Sequence, residues 1–199
     1  MDPPLSAEGR RQAERVGARL AGRAFAAHYA SDLKRAFETA ELVGAAVGVS
    51  PAPMPALREI FLGEWEGLRT EEIAERYPAA WATWVEEPDW DVVPGGEGAI
   101  NFDARVGMAF DDILRRHDHG DVLVVTHGGV IQVALGRTLG RNSHGLFPLV
   151  IDNCSISILT RGRSRTVISG VNDICHLHAE ALASTVARRE RTGGLTQQY

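Results

Sequence analysis

Cysteine is scarce: Cys154 and Cys175 are the only two in 199 residues, and they form neither a C-x-x-C pair nor a zinc-ligand spacing. A disulfide framework and a zinc module are therefore excluded as the basis of the fold, and two reduced thiols suit a cytoplasmic protein. An uninterrupted apolar run of 18 or more residues is also lacking, and no stretch reads as a signal peptide, so no membrane-spanning helix is expected. Basic residues are outnumbered, 21 Lys and Arg against 26 Asp and Glu, for a formal net charge of -5. That balance argues against a broad cationic face for nucleic acid or for a membrane surface. An anion would have to be held in a local pocket of Arg, His and backbone N–H groups. Repeats, linkers and low-complexity tracts are missing too. What remains is 44% hydrophobic and 24% charged, the composition of one globular domain able to bury its own core.

Periodicity divides the chain into alternating strands and helices. Pro3-Pro4-Leu5-Ser6 reads as a turn with Ser6 as N-cap of a helix whose Ala13, Val16 and Leu20 share one face. The short apolar run 25–30 suits a buried strand. Asp32 is expected to cap a second helix, with Ala36, Phe37, Ala40 and Val43 inward and its end near Gly48. Three prolines in 49–56 limit that segment to an edge strand. Residues 57–67 read as a Gly-punctuated loop, and 70–90 as short helices bearing Trp81, Trp84 and Trp90. Pro94-Gly95-Gly96 breaks them before an amphipathic helix carrying Phe102, Val106, Ala109, Phe110 and Ile113. The run 121–126 is continuously apolar and β-branched, as expected of a strand covered on both faces of a parallel sheet, and His127-Gly128-Gly129 turns directly into a helix over 130–139. Two more strands are expected at 154–160 and 164–169, then a charged helix over 179–191 and a loose tail. The pattern predicts a three-layer α/β sandwich with a mostly parallel sheet flanked by helices, in which ligands sit beyond the carboxyl ends of the strands.

Three features fall at those ends. The glycines after His127 let a ligand approach the backbone, and the N–H groups opening the following helix favour an anion. Arg35 lies in the first turn of its helix, where its fork can reach a phosphate bidentately; a solvated helix-face arginine is the competing reading. Glu59 sits beside Ile60 and Phe61, and a carboxylate in a partly apolar pocket has a raised pKa suited to a general acid. Glu64 and Glu66 in the same loop read as surface carboxylates.

The ordered stretches DPPLS-AEGRRQA, SDLKRAFETA, LREIFLGEWEG, PGGEG, VLVVTHGG and VNDICHL resemble the histidine phosphatase superfamily, and most closely its bacterial phosphatase branch, related to cofactor-dependent phosphoglycerate mutase. The resemblance runs from Asp2 to about Leu177 and implies a phosphoglycerate mutase-like fold over residues 1–178, with 179–199 as an appended helix and tail. It implies that Arg35 binds phosphate, that Glu59 protonates the leaving group, and that His127 stabilises the transferring phosphoryl group, with Gly128 offering a backbone N–H beside it. Gly95-Gly96-Glu97 resembles the stretch over the site entrance, with Gly98 where Ser is usual. No catalytic role is assigned to Asn153, Asn172 or Asp173. Neither metal nor cofactor is implied; His176 and His178 make no convincing metal pair.

One departure stands against these matches. The family opens on a strand ending in Arg-His-Gly, whose histidine attacks phosphorus, and no such triplet occurs in this sequence. His28, His117, His119, His144, His176 and His178 have the wrong neighbours to replace it. The expectation is a chain that lacks both the nucleophile and the first strand of the sheet, inactive as given. The missing strand would leave a slot with unpaired backbone groups, which would favour pairing with another chain, hence a possible homo-oligomer. The intact protein would be a metal-independent phosphomonoester hydrolase acting through phosphohistidine on a small phosphorylated substrate, with substrate or inorganic phosphate as its partner. Phosphoglycerate mutase-type phosphotransfer is the second enzyme reading, ranked lower because the stretch between Glu59 and His127 is short for that branch. A non-catalytic phospho-ligand-binding module is the third. The three tryptophans could form an apolar wall beside the phosphate, although packed indoles are the commoner use.

Overall fold

The computed structural model describes residues 2–140 and 149–178. The helix and tail expected over 179–199 lie outside these residues, as does His144.

The chain opens with α1 (Ala7–Leu20), where Ser6 accepts a hydrogen bond from the Gly9 N–H at 3.0 Å and satisfies one of the free donors of the first turn. Strand β1 (Phe25–Ala30) and helix α2 (Lys34–Val47) follow, the latter closed by Gly48. Asp32 does not cap α2, contrary to the expectation. Leu33 occupies the cap position, and the Asp32 carboxylate instead accepts both arms of Arg58 at 2.7 and 2.5 Å. The free N–H of Lys34 donates to Asp2 at 2.7 Å, so the cap comes from a residue 32 positions away. A two-armed guanidinium pair is a stronger partner for Asp32 than one amide, and Asp2 is then free to serve the helix.

The three-proline segment contributes only β2 (Ala52–Pro53), at the sheet edge. After it come α3 (Thr70–Arg76), α4 (Pro78–Glu86) and the long α5 (Ala99–Arg116), then β3 (Asp121–Val125), α6 (Gly128–Thr138), β4 (Ile156–Arg161) and β5 (Thr166–Asp173). β1 is the centre of a parallel three-stranded sheet, with β2 on one side and β3 on the other. β4 and β5 form a separate antiparallel pair.

Alternation along the strands builds three layers. Tyr29 and Val124 pack against a cluster of Leu57, Ile60, Trp90, Phe102, Val106, Val130 and Val133, which α5 and α6 hold over one face. Phe25 and Leu123 meet Val16, Leu20 and Val43 of α1 and α2 on the other face, and Cys154 and Ile156 join that second cluster. β3 departs from the sequence expectation in one respect: no residue in it is fully buried. Its edge away from β1 has no strand partner among the described residues, and neither does the edge of β4 away from β5. Both of its faces are nonetheless covered as expected, Val124 by one helical layer and Leu123 by the other.

The tryptophans divide into two groups instead of forming one wall. Trp81 and Trp84 stand edge-on to buried Trp65, with ring centroids 6.2 and 5.5 Å apart, whereas Trp90 packs on Phe102 at 5.0 Å. Trp90 and Phe102 together fill the space beneath α6. Phe102→Ala is expected to cost about 3–5 kcal/mol of unfolding free energy, the range for emptying a fully buried aromatic site; urea denaturation followed by tryptophan fluorescence measures it.

Candidate active site

The carboxyl ends of β1 and β3 lie side by side, and two elements turn outward from them. β1 runs into Ser31, whose N–H donates to the Val125 carbonyl at 2.9 Å, and then into α2 with Arg35 in its first turn. β3 runs through Thr126 into His127, the cap residue of α6. This places His127 between Ser31 and Arg35. Its Nε2 lies 2.8 Å from the Ser31 hydroxyl, and its Nδ1 is 3.4 Å from a guanidinium nitrogen of Arg35. Ser31 is fully buried and also accepts the Leu33 N–H at 3.3 Å.

Glu59 reaches the same rim from the loop after β2. The Thr126 hydroxyl donates to the Leu57 carbonyl at 2.7 Å, which fastens this loop to the end of β3. One Glu59 oxygen accepts the Gly129 N–H at 3.1 Å, and the other accepts its neighbour Ile60 N–H at 3.0 Å. The carboxylate thus rests on the opening turn of α6, two residues from His127. A side chain at 129 has no room, since an added Cβ would collide with Glu59 itself. Gly128 has open space, with Ile151 at 3.9 Å as the nearest neighbour of an added Cβ. Arg35, Glu59 and His127, singled out on separate stretches of sequence, therefore meet at one edge of the sheet.

Burial sets the electrostatics. Desolvation pushes the Glu59 carboxyl above the ordinary carboxylate range, against the opposing effect of its two backbone donors and of Arg35 and Arg105. The same desolvation, reinforced by those two arginines and opposed by Asp2, lowers His127 to about 4. Burial thus shifts the acid toward its protonated form and the imidazole toward its neutral form. Two titratable groups pushed in opposite senses within one cleft mark a functional site more strongly than either alone.

Two residues that sequence reasoning passed over support this arrangement. Ser31 was visible only as the first polar residue after a strand. Arg105 lies on the inward stripe of α5 with Phe102, Val106 and Ala109, where a charge is out of pattern; that was the available signal. Its guanidinium grips the Glu97 carboxylate with two arms at 2.6 and 2.7 Å and donates to the Ala56 and Arg58 carbonyls at 2.9 Å each. Glu97 is bonded in turn to the Phe61 backbone, through its own N–H at 2.9 Å and through its carboxylate at 3.3 Å. Gly63, at φ +47°, lies directly on the Pro94–Gly96 backbone with no space for a side chain. Gly95-Gly96-Glu97 is therefore the outer wall of the Glu59 loop.

Four other histidines among the described residues are engaged elsewhere. His28 Nδ1 faces the Val49 carbonyl at 3.0 Å, His117 meets the Tyr29 hydroxyl at 2.9 Å, His119 contacts Asp118, and His176 meets the Cys154 carbonyl at 2.9 Å. No cluster of three or more potential metal ligands occurs among the described residues. Gly129→Ala is expected to displace the Glu59 carboxylate from the 129 N–H and so raise its titration midpoint further, because a donor that favours the ionised form is lost; carbon-13 NMR of the Glu59 carboxyl follows it.

The sequence pattern of the histidine phosphatase superfamily (branch 1) matches residues 1–174. Phosphoserine phosphatase 1 of Hydrogenobacter thermophilus is 31% identical over 177 residues, covering 89% of this chain and 84% of that protein. A probable phosphoglycerate mutase, GpmB of an Enterobacter species, is 30% identical over 186 residues, 91% of this chain and 86% of the relative. Among solved structures, Bacillus stearothermophilus YhfR superposes with a TM-score of 0.81 at 31% identity, covering 88% of each chain. With a parallel sheet flanked by helices and a match across nearly its whole length, the chain belongs to the histidine phosphatase superfamily, branch 1.

Proposed function

We propose that this rim is the phosphoryl site of a metal-independent phosphomonoester hydrolase that works through a phosphohistidine intermediate. The observation that carries the reading is the meeting of Arg35, His127 and Glu59 at one end of the sheet. Arg35 and His127 bind the non-bridging oxygens of a tetrahedral anion, and catalysis is then mostly positioning and charge stabilisation. In the first step a histidine nitrogen attacks phosphorus, the ester P–O bond breaks, and protonated Glu59 gives its proton to the leaving alkoxide. In the second, water attacks phosphorus while ionised Glu59 takes a proton from it, the P–N bond breaks with its electron pair returning to the histidine nitrogen, and phosphate departs. A carboxyl raised by burial suits both duties.

The sequence contains no Arg-His-Gly triplet, and His28, His117 and His176 are each bonded elsewhere in the fold. We infer that the attacking histidine comes from an extended segment outside these 199 residues. The edges of β3 and β4 that have no strand partner among the described residues support this: their side chains share one apolar cluster, so a strand between them would join the two sheets. Running parallel to β3, such a strand would end beside His127. The chain as given is then inactive toward phosphomonoesters while keeping an anion pocket. The likeness to a probable phosphoglycerate mutase favours a second reading, in which the phosphoryl group returns to another substrate hydroxyl instead of to water.

Phosphate release from p-nitrophenyl phosphate by the 199-residue chain, and by the product of the same reading frame extended upstream, is the test. Release by the extended protein alone, with an acid-labile phosphoenzyme, is the expected result. Isomer conversion of phosphoglycerate without net phosphate release would replace hydrolase by mutase. Anion binding without turnover in both proteins would favour a binding module. Turnover by the 199-residue chain that survives both Glu59→Gln and His127→Ala would overturn the reading altogether.

A further inference from the structure

His127 has two ring nitrogens and two different neighbours, and the neighbours decide where its proton sits. An arginine N–H can only donate. The nitrogen that faces Arg35 at 3.4 Å must therefore be the unprotonated acceptor, Nδ1. The proton then belongs on Nε2, which donates to the Ser31 hydroxyl at 2.8 Å. Ser31 cannot turn away from this duty. It is fully buried, its own N–H is bonded to the Val125 carbonyl, and its hydroxyl already accepts the Leu33 N–H. The serine is thus fixed by the ends of both strands and points at one nitrogen of the ring.

This has a consequence for the anion site, and it rests on the reading of that site given above. A lone pair at Nδ1 repels a phosphoryl oxygen; only a protonated Nδ1 can donate to one. When a tetrahedral dianion enters between Arg35 and His127, the guanidinium is drawn to the anion and ceases to be a bare positive charge against the ring. The same anion places two negative charges beside Nδ1. Both changes favour an imidazolium whose Nε2–H still rests on Ser31. We propose that Ser31 is a positioning residue that holds free His127 as the Nε2–H tautomer, and that the pocket takes up a proton from solvent at Nδ1 with each tetrahedral anion it binds.

The charged groups facing His127 come from four directions. Arg35 of α2 and Arg105 of α5 disfavour the cation, Asp2 ahead of α1 favours it, and Glu59 lies on the Gly129 N–H next to it. In the free site the arginines and desolvation prevail. An anion tips that balance. The proton balance is simple: buffer loses one, Nδ1 gains one, and no covalent bond changes.

Sulfate is the probe, because it remains a dianion across the working range and cannot itself supply the proton change. Calorimetric titration at about pH 5.5 in two buffers of different ionisation heat gives the proton uptake per sulfate. Uptake of roughly half a proton or more is expected, with affinity falling about threefold or more per pH unit on going alkaline. Glu59→Gln separates the two carriers: uptake that persists in this variant belongs to His127, and uptake that disappears with it overturns the assignment. Nitrogen-15 NMR of free His127 is expected to show Nδ1 unprotonated and Nε2 protonated. Ser31→Ala is expected to mix the tautomers and weaken sulfate about fivefold, the effect of one buried hydrogen bond, while Ser31→Thr, which keeps the hydroxyl, retains the single tautomer. Should Ser31→Ala fail to fold, the measurements on the unaltered chain still decide. Sulfate binding with no buffer dependence, or a free His127 protonated at Nδ1, would overturn the proposal while leaving the anion pocket intact. No sulfate binding at all would instead overturn the reading of the pocket.

Discussion

A guanidinium and an imidazole held 3.4 Å apart in a cleft cannot both carry charge cheaply. The site is built around that constraint. Arg35 keeps its charge, since arginine stays protonated in proteins, and His127 yields. Ser31 gives the neutral ring a defined tautomer, and the residue that bears it occupies the cap position of α6. Glu59 then finds its place on the first turn of the same helix, buried enough to hold a proton and bonded well enough to release one. The acid and the imidazole are driven apart in pKa by the same desolvation, because burial disfavours the charged form of each.

Support for this arrangement reaches outward through Arg105. Its fork spans the Glu97 carboxylate and the backbone of the Glu59 loop, and so couples α5 to both walls of the cleft. Arg105 also lies over the Phe102 ring, 5.0 Å from its centroid, and Phe102 packs on Trp90 in the core below. Core packing is thereby transmitted to the position of one carboxylate. The Thr126 hydroxyl makes a second connection from the strand end to the same loop.

Much of this was legible in the sequence where local periodicity decides the outcome. β1 falls on the expected 25–30, α1 begins after Ser6, and the proline-rich segment is indeed an edge strand. The candidate residues Arg35, Glu59 and His127 could be read because each follows a strand or a turn with a recognisable pattern. What could not be read depends on distant partners. Asp32 has the right chemistry to cap α2 but is taken by Arg58, and Asp2 caps in its place. Trp90 belongs with Phe102 and not with Trp81 and Trp84, a division that spacing along the chain does not reveal. The bond of Ser31 to His127 and those of Arg105 to the Glu59 loop could not be read either, because these partners are dozens of residues away.

The account stands on one pocket shared by three side chains. A crystal structure of the protein soaked in tungstate, whose heavy atom is unmistakable in density, tests that directly. The account predicts a tetrahedral anion within hydrogen-bond distance of the Arg35 guanidinium and His127 Nδ1, with the Glu59 carboxyl facing it. Tungstate bound elsewhere, with Arg35 and His127 still in contact only with each other, would contradict it.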